Sequence, residues 1–500
     1  MTHLGYGRML GNQGFDGRCG STRGMPVTSS VRQKYPHTGQ DRCAAETLLP
    51  CQFRTLAAQQ NSIYRRLQPG PSTGCECKSI SEAIVRELVN GYVGSSSDHL
   101  PLHMPCHGHS ARMSTESEPH SPLTMLLRLL LIAFLLAGSA EAARAKTVAE
   151  AFDAEMRAWM VAHGVMRGSL GVMRDRRLVH VVGFGDRGVD ARVGIWSLSK
   201  AIRATCVATL ARDELLSFNS PIGPLLSATF QRYGMPVDPR LERATVLHLV
   251  SHRSGIPTRV GGNRFAPGTG DLLRTHEPSS VTAHQLLPEI LKIRLTHEPG
   301  EYFQYSNVGY LLLGRIVEQV TGKAYEEACY ERVLRPSGIS GARLHQTWGN
   351  LLDAAAGWEL SAAEYLAFAR QLRPNRKSVL DIAAQTVLVS PDGFWRDDRK
   401  QSAYTLGVIV WPVPNALPHL SHTGGWDWLQ KDASGGPVDE SSGTLFVLAS
   451  DGVTWFASFD PVARASEQRA REELDHALWR AKRAVTIWPY KDLFPAHQVK

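Results

Sequence analysis

Strand-forming runs lie at both ends of the segment from Lys146 to Lys500, with a long helical and loop-rich stretch between them from Asn219 to about Ser402. Near the front, Leu170–Met173 and Leu178–Phe184 flank the polar Arg174-Asp175-Arg176-Arg177, which predicts a β-hairpin. Near the back, Tyr404–Val410, His419–Thr423, Gly443–Ala449 and Thr454–Phe459 read as strands. Strands at the two ends of one segment imply a single sheet assembled from both. Antiparallel pairing suits the short connections, such as Asp451-Gly452. Helices flank this sheet: Val148, Phe152, Met156 and Met160 recur every fourth residue on an opening helix, a second runs from near Ser197 to about Leu215, and Pro461–Ala484 closes the chain. The expected class is α/β (α+β): a mixed antiparallel sheet flanked by helices, plus a helical subdomain inserted over about 219–402. The whole folded unit would span 146–490.

The residues ahead of Lys146 are of another kind. Met125-Leu126-Leu127-Arg128 precedes an apolar run from Leu129 to Ala137, and Ala140-Glu141-Ala142 and Ala143-Arg144-Ala145 fit a small-x-small cleavage site. One cation, a short apolar core and such a site are the layout of an export signal. The run falls short of the roughly 20 apolar residues that cross a bilayer. Residues 1–124 are rich in Gly, Ser, Pro, Cys and His, and only Ile80–Val93 looks faintly helical. We expect that 1–124 is an upstream extension absent from the mature protein or disordered, that 125–145 is a signal or short membrane anchor, and that the product is periplasmic or secreted.

Composition excludes little. A hydrophobic fraction of 43% with 20% charged residues suits a globular chain with a substantial core. The net charge of +8 comes from scattered Lys and Arg rather than one stripe, so no nucleic-acid partner is expected. Six of the eight cysteines precede residue 107, and Cys75 and Cys77 stand too close for an easy bridge. His103, Cys106, His107 and His109 lack a framing second ligand pair, so no metal is expected. Cys206 falls on an apolar helical face and reads as core rather than as a reactive thiol.

Three short motifs carry the chemistry. Ser197-Leu198-Ser199-Lys200 opens a helix, and a spacing of three brings amine and hydroxyl to one face. A serine hydroxyl is a weak nucleophile until a neighbour takes its proton, and a helix N-terminus favours the developing negative charge. Standing alone, the pair is equally well an exposed Ser and Lys. Tyr305-Ser306-Asn307 follows the turn at Pro299-Gly300 and precedes a helix from Val308 to Val320. A phenol beside a lysine ammonium should have its pKa lowered and serve as a base. Taken singly, Tyr305 is a half-buried aromatic and Asn307 a helix cap. His422-Thr423-Gly424, with Gly425 and Trp426 after it, ends a strand whose free N–H groups suit an oxyanion. The plain alternative is that these glycines merely end the strand.

In this order the motifs resemble the serine β-lactamase and penicillin-binding protein superfamily, whose signatures are S-x-x-K and K-T-G. They look most like its class C β-lactamase-related branch of esterases, D-amino-acid peptidases and amide hydrolases. Leu247–Pro257, containing Ser251-His252-Arg253-Ser254-Gly255, and Glu298–Tyr310 match that branch too, and the likeness covers about Val148 to Asp460. The resemblance implies a β-lactamase/transpeptidase-like fold, with Ser197 acylated and Lys200 its proton partner. It makes Tyr305 the base that protonates the leaving group and activates water, and Asn307 a holder of Lys200 and of substrate. The Ser197 and Gly425 N–H groups would form the oxyanion hole. His422, Thr423, Gly424 and Gly425 would line the substrate cleft, with His422 opposite Tyr305.

The histidine stands where many β-lactamases carry lysine, and a neutral imidazole holds a β-lactam carboxylate less well than an ammonium. The bet is therefore an ester, amide or D-amino-acid peptide substrate, with no cofactor. A true β-lactamase, a D-alanyl-D-alanine carboxypeptidase and a non-catalytic penicillin-binding sensor remain as alternatives. Trp426 and Trp428 shape a pocket or simply pack, and His252 reads as a loop anchor rather than an acid–base group. Membrane contact would come only through an uncleaved signal segment, and the oligomeric state is open.

Overall fold

The computed structural model describes residues 145–497, apart from 261–262, 264, 427–429, 432–436 and 439. The readings made for residues 1–124, the signal-like run ahead of Ala145 and Trp428 lie outside the described residues. Helix α1, Val148–His163, begins at a capping box in which Thr147 and Glu150 bond each other's backbone, and the fourfold repeat Val148, Phe152, Met156, Met160 is buried. Strands β1, Arg167–Arg174, and β2, Arg177–Phe184, form the hairpin. Its two turn residues, Asp175 and Arg176, both take positive φ (49° and 69°), the conformation whose twist matches paired strands.

A 3₁₀ turn, Trp196–Leu198, leads into α2, Ser199–Arg212. The middle of the chain is built of short helices and contains α3, Asn307–Thr321; α4, Tyr325–Cys329; α5, Gly349–Ala356; and α6, Ala362–Ala369. The back of the chain supplies β3, Ala403–Tyr404; β4, Ile409–Trp411; β5, His419–Trp426; β6, Glu440–Leu448; β7, Val453–Ala463; and α7, Glu467–Ala484. The seven strands form one antiparallel sheet in the order β2-β1-β7-β6-β5-β4-β3, so front and back of the chain meet where β1 pairs with β7, Arg174 opposite Val453 and Arg167 opposite Asp460.

The sheet divides the core into two layers. On one face α1 and α7 bury Phe152, Met156, Trp159, Leu474 and Leu478 against Trp455 and Phe459. On the other, α2, α3, α5 and α6 pack into the larger core, with Ile202, Leu312, Leu352 and Phe368 at its heart. At roughly 1.5–3 kcal/mol for each large apolar side chain buried, these two layers are the main source of stability.

Several boundaries differ from the sequence reading, three of them with a bearing on the site or the chain's path. Tyr404–Val410 is two strands rather than one, because Gly407 turns the chain at φ 74° close against Lys200 and Ala201, where a Cβ would lie within 2.6 Å of the Ala201 nitrogen. Strand β7 continues through Pro461 to Ala463, so the closing helix starts at Glu467. Helix α2 stops at Arg212, short of Leu215. Cys206 is core as read, but it is also bonded: α2 and α4 are joined by a Cys206–Cys329 disulfide across 123 residues of sequence.

Candidate active site

Ser197 sits in the 3₁₀ turn just ahead of α2, and the turn is pinned from both sides. The Leu198 N–H donates to the Ile195 carbonyl at 3.1 Å, and the Ile195 N–H donates to Trp358 O at 3.0 Å. Thr444 Oγ1 on β6 donates to the same Ile195 carbonyl at 3.1 Å. Trp196, immediately before Ser197, holds φ 49°, a left-handed backbone that costs a bulky residue on the order of 1–3 kcal/mol. Its ring is stacked between His345 (5.7 Å) and Trp426 (5.9 Å), which keeps it there.

Lys200, one turn on, is wholly buried. Its Nζ donates to Asn307 Oδ1 at 2.7 Å and to the Ala355 carbonyl at 2.8 Å, and stands 3.2 Å from Ser197 Oγ. Burial drives its pKa well below the usual lysine value. A neutral amine has two hydrogens and one lone pair. The two carbonyl-type oxygens can only accept, so they take the hydrogens and the lone pair is left for the Ser197 hydroxyl proton.

Tyr305 donates its phenolic hydrogen to Ser197 Oγ at 2.9 Å. Contrary to the sequence expectation, its pKa is raised: burial outweighs the lowering by the Ser197 bond and by the positive charge of Arg471. The same burial disfavours the ammonium form of Lys200, which weakens the lowering expected from a neighbouring charge. The resting site therefore keeps its proton on the phenol. Asn307 is the first residue of α3 rather than its cap, which frees its amide oxygen for Lys200.

His252 brackets Tyr305. Its carbonyl accepts from Gln304 N–H at 2.7 Å and its Nδ1 from Ser306 N–H at 3.1 Å, while its ring lies 4.3 Å from the phenol ring. Burial lowers its pKa far below the usual histidine value, so it is a neutral anchor.

His422 lies beside Tyr305, ring centroids 6.2 Å apart, but is only 4% exposed. Its Nδ1 is 2.6 Å from the Thr423 carbonyl and its Nε2 is 3.0 Å from the Tyr404 hydroxyl. A carbonyl cannot donate, so Nδ1 carries the hydrogen and Nε2 accepts from the phenol. Burial chiefly lowers its pKa to about 3.

Thr423, Gly424 and Gly425 stand on β5 opposite Leu445, Thr444 and Gly443 of β6. Strand β4 reaches only to Ser421, so from His422 onward β5 has no strand partner on its other edge among the described residues. A Cβ on Gly424 would lie 2.7 Å from Ile195 O and 3.0 Å from Trp196 Cβ. The glycine thereby lets the strand close onto the turn that carries Ser197. A Cβ on Gly425 would lie 2.8 Å from Glu467 Oε1.

Ser197, Lys200, Tyr305, Asn307 and His422 thus converge, and Thr423–Gly425 border them. Sequence reading missed the Ala355 carbonyl, since a backbone acceptor leaves no residue signature, and missed Tyr404 as the partner of His422. Trp426 packs against Trp196, Trp348 (5.3 Å) and Phe265 (5.9 Å) in an aromatic wall. Trp196 also borders a cavity of about 950 Å³ with Arg187 and Arg192, whose guanidiniums are committed to Asp460 and Glu364. Among the described residues no group of His, Cys, Asp or Glu could hold a metal ion.

A family model described as Beta-lactamase matches residues 148–468. Protein flp of Staphylococcus aureus (strain COL) is 24% identical over 221 residues, 41% of this chain and 41% of that protein, so the chain aligns with less than half of that relative's length. Among solved structures, a D-stereospecific amidohydrolase from Streptomyces sp. superposes with a TM-score of 0.51 at 20% identity, covering 64% of this chain and 97% of the other. EstCE1, described as a hydrolase with promiscuous acyltransferase activity, gives 0.51 at 15% identity over 66% and 98%. At such identities the likeness carries the fold alone.

Proposed function

This chain belongs to the β-lactamase family of serine hydrolases, and on that premise we propose that it hydrolyses an ester, amide or D-amino-acid peptide bond through an acyl-enzyme on Ser197. One observation carries the reading: a single hydroxyl oxygen lies within 3.2 Å of a buried amine and 2.9 Å of a buried phenol.

The protons balance along this arrangement. As Ser197 Oγ attacks the carbonyl, its proton passes to the neutral Lys200 amine. Tyr305 gives its hydroxyl proton to the departing alcohol or amine. The phenolate so formed stands beside a newly charged Lys200, which stabilises it at that moment only. It takes a proton from the hydrolytic water, the hydroxide adds to the acyl group, and Lys200 returns its proton to Ser197 as the acid leaves. Tyr305 acts as acid and then as base without a lowered resting pKa. The N–H groups of Ser197 and Gly425 would receive the oxyanion, and Asn307 would hold Lys200 and the substrate amide.

The choice of substrate rests on His422. With its pKa near 3 it is neutral at working pH, and its two nitrogens are engaged by Thr423 and Tyr404. It offers no cation to a β-lactam carboxylate, which favours simple esters and amides. The reading extends to an exported protein, supported by the leader-like run before Lys146 and by the Cys206–Cys329 disulfide, a bond that persists in oxidising compartments. N-terminal sequencing of the native protein should begin near Ala143 or Lys146.

A side-by-side panel of chromogenic short-chain ester, D-amino-acid amide and cephalosporin tests the reading. Ester or amide turnover should lead, with fluorophosphonate labelling abolished by Ser197→Ala and turnover in Tyr305→Phe reduced about 10²- to 10⁴-fold. Turnover surviving in Ser197→Ala would refute it, and stoichiometric labelling without turnover would make the protein a sensor.

A further inference from the structure

We infer that Arg471 is a positioning residue of the oxyanion site, fixing the Gly424–Gly425 peptide so that the Gly425 N–H is held towards the developing oxyanion. The inference rests on the reading above that this N–H is an oxyanion donor.

Arg471 lies one turn into α7, four residues after Glu467. Its guanidinium makes two bonds at once: Nη1 donates to the Gly424 carbonyl at 3.1 Å and Nη2 to Glu467 Oε2 at 2.9 Å. Both side chains are mostly buried, 18% and 16% exposed, so the fork is not a loose surface pair. It is seated directly on the strand, because a Cβ at position 425 would fall 3.1 Å from Arg471 Nη1 and 2.8 Å from Glu467 Oε1.

The Gly424 carbonyl and the Gly425 N–H belong to one planar trans peptide and point in opposite directions. Whatever holds the carbonyl therefore sets the direction of the N–H. The β5–β6 ladder, with Gly424 opposite Thr444 and Gly425 opposite Gly443, sets the plane coarsely, and two consecutive glycines bring no side chain to hold it further, so the bond from Arg471 adds to the ladder's constraint. A cationic donor on the carbonyl also polarises the amide and strengthens the N–H on its far side. Glu467 keeps the guanidinium in place and offsets its charge, so that Arg471 serves the peptide rather than an anionic ligand. A lysine would have to reach both oxygens from a single nitrogen, whereas the planar fork reaches each from its own.

The test compares an oxygen ester with its thionoester, whose sulfur accepts hydrogen bonds poorly and so gains little from the oxyanion donors. Arg471→Met should lower kcat on the oxygen ester about 10- to 100-fold with KM within about twofold, an effect smaller than outright loss of a donor. The thionoester should be nearly unaffected, so the ratio of the two rates collapses. Binding of a boronic acid, which mimics the tetrahedral state, should weaken by the same factor as kcat/KM. Equal losses on both esters, or no loss on either, would overturn the inference while labelling of Ser197 leaves the enzyme reading intact. A wild-type protein not labelled at Ser197 would bring down both. If Arg471→Met does not fold, Arg471→Lys serves in its place: a smaller collapse of the ratio is expected, and an unchanged ratio overturns the proposal.

Discussion

Helix α2 carries two buried cationic residues one turn apart, and they are buried in opposite ways. Lys200 is surrounded by oxygens that carry no full charge: an amide, a backbone carbonyl and a hydroxyl. Among the described residues no carboxylate pairs with it. Arg203 is equally inaccessible, but lies over the Tyr325 ring at 3.5 Å, donates to the Leu313 carbonyl at 2.8 Å, and stands 3.8 Å from Asp353 Oδ1. Arg315 binds the other oxygen of the same carboxylate. Burial lowers the pKa of both α2 residues. An amine answers by giving up its proton, which a guanidinium in practice cannot, so the arginine needs an anion and the lysine does not. One turn of one helix thus holds a base made by desolvation and a structural cation made tolerable by a counter-ion.

The largest expected effect lies on the lysine side. Lys200→Met should reduce kcat by about 10³- to 10⁴-fold, through loss of the base for Ser197. It should nevertheless make the protein more stable at pH 7. The folded pKa of Lys200 lies below its unfolded value of about 10.4, so between the two the unfolded chain binds the extra proton and wild-type stability rises with pH. The variant loses that slope, and its advantage should shrink as pH approaches 10. Parallel stability–pH curves for the two proteins would mean that Lys200 is charged when folded, and the contrast with Arg203 would be lost.

The arginine side predicts a purely structural loss. Asp353→Asn leaves Arg203 buried without a carboxylate and Arg315 with Glu318 alone, and should cost about 3–5 kcal/mol in denaturant unfolding. A loss under about 1 kcal/mol would place that cluster among exposed ion pairs and erase the distinction.

How much of this was readable beforehand follows the reach of each signal. Ser197 with Lys200, and Tyr305 with Asn307, are local spacings, and local spacing survives in sequence. The hairpin and the opening helix were legible for the same reason. The direction of the Tyr305 shift was not, because it depends on how deeply two residues 105 positions apart are buried together. Arg471 is written in the sequence as one more charge on an amphipathic helix, and nothing in its neighbours says that it faces a strand. Cys206 was placed in the core, but its partner Cys329 comes from a helix whose approach to α2 no periodicity announces.

That disulfide ties α2 to α4 and gives the next prediction. Cys206→Ala should cost about 2–4 kcal/mol, largely through the freedom regained by the unfolded chain, while kcat of the folded enzyme stays near wild type. A fall in kcat at unchanged fold would show that the bond positions Ser197 as well as bracing the helix.

The smallest expected effect concerns a third buried base, whose titration falls within an accessible range. His422 has a folded pKa near 3 against an unfolded value of about 6.5. Across that window the unfolded chain binds a proton that the folded chain refuses, so the contribution of His422 is constant above about pH 6.5 and falls on acidification. One such group contributes at most about 1.4 kcal/mol per pH unit. His252, buried in the same cluster and lowered in the same sense, adds to the slope, so His422→Gln should flatten it without abolishing it. Burial, Arg396 and Arg471 disfavour the imidazolium, and only the Thr423 carbonyl favours it. If the slope between pH 4 and 6 is the same in His422→Gln as in wild type, the imidazole is already protonated in the folded protein. It would then be a cation like Arg203 rather than a neutral base like Lys200, and the argument against carboxylate-bearing substrates would have to be reversed.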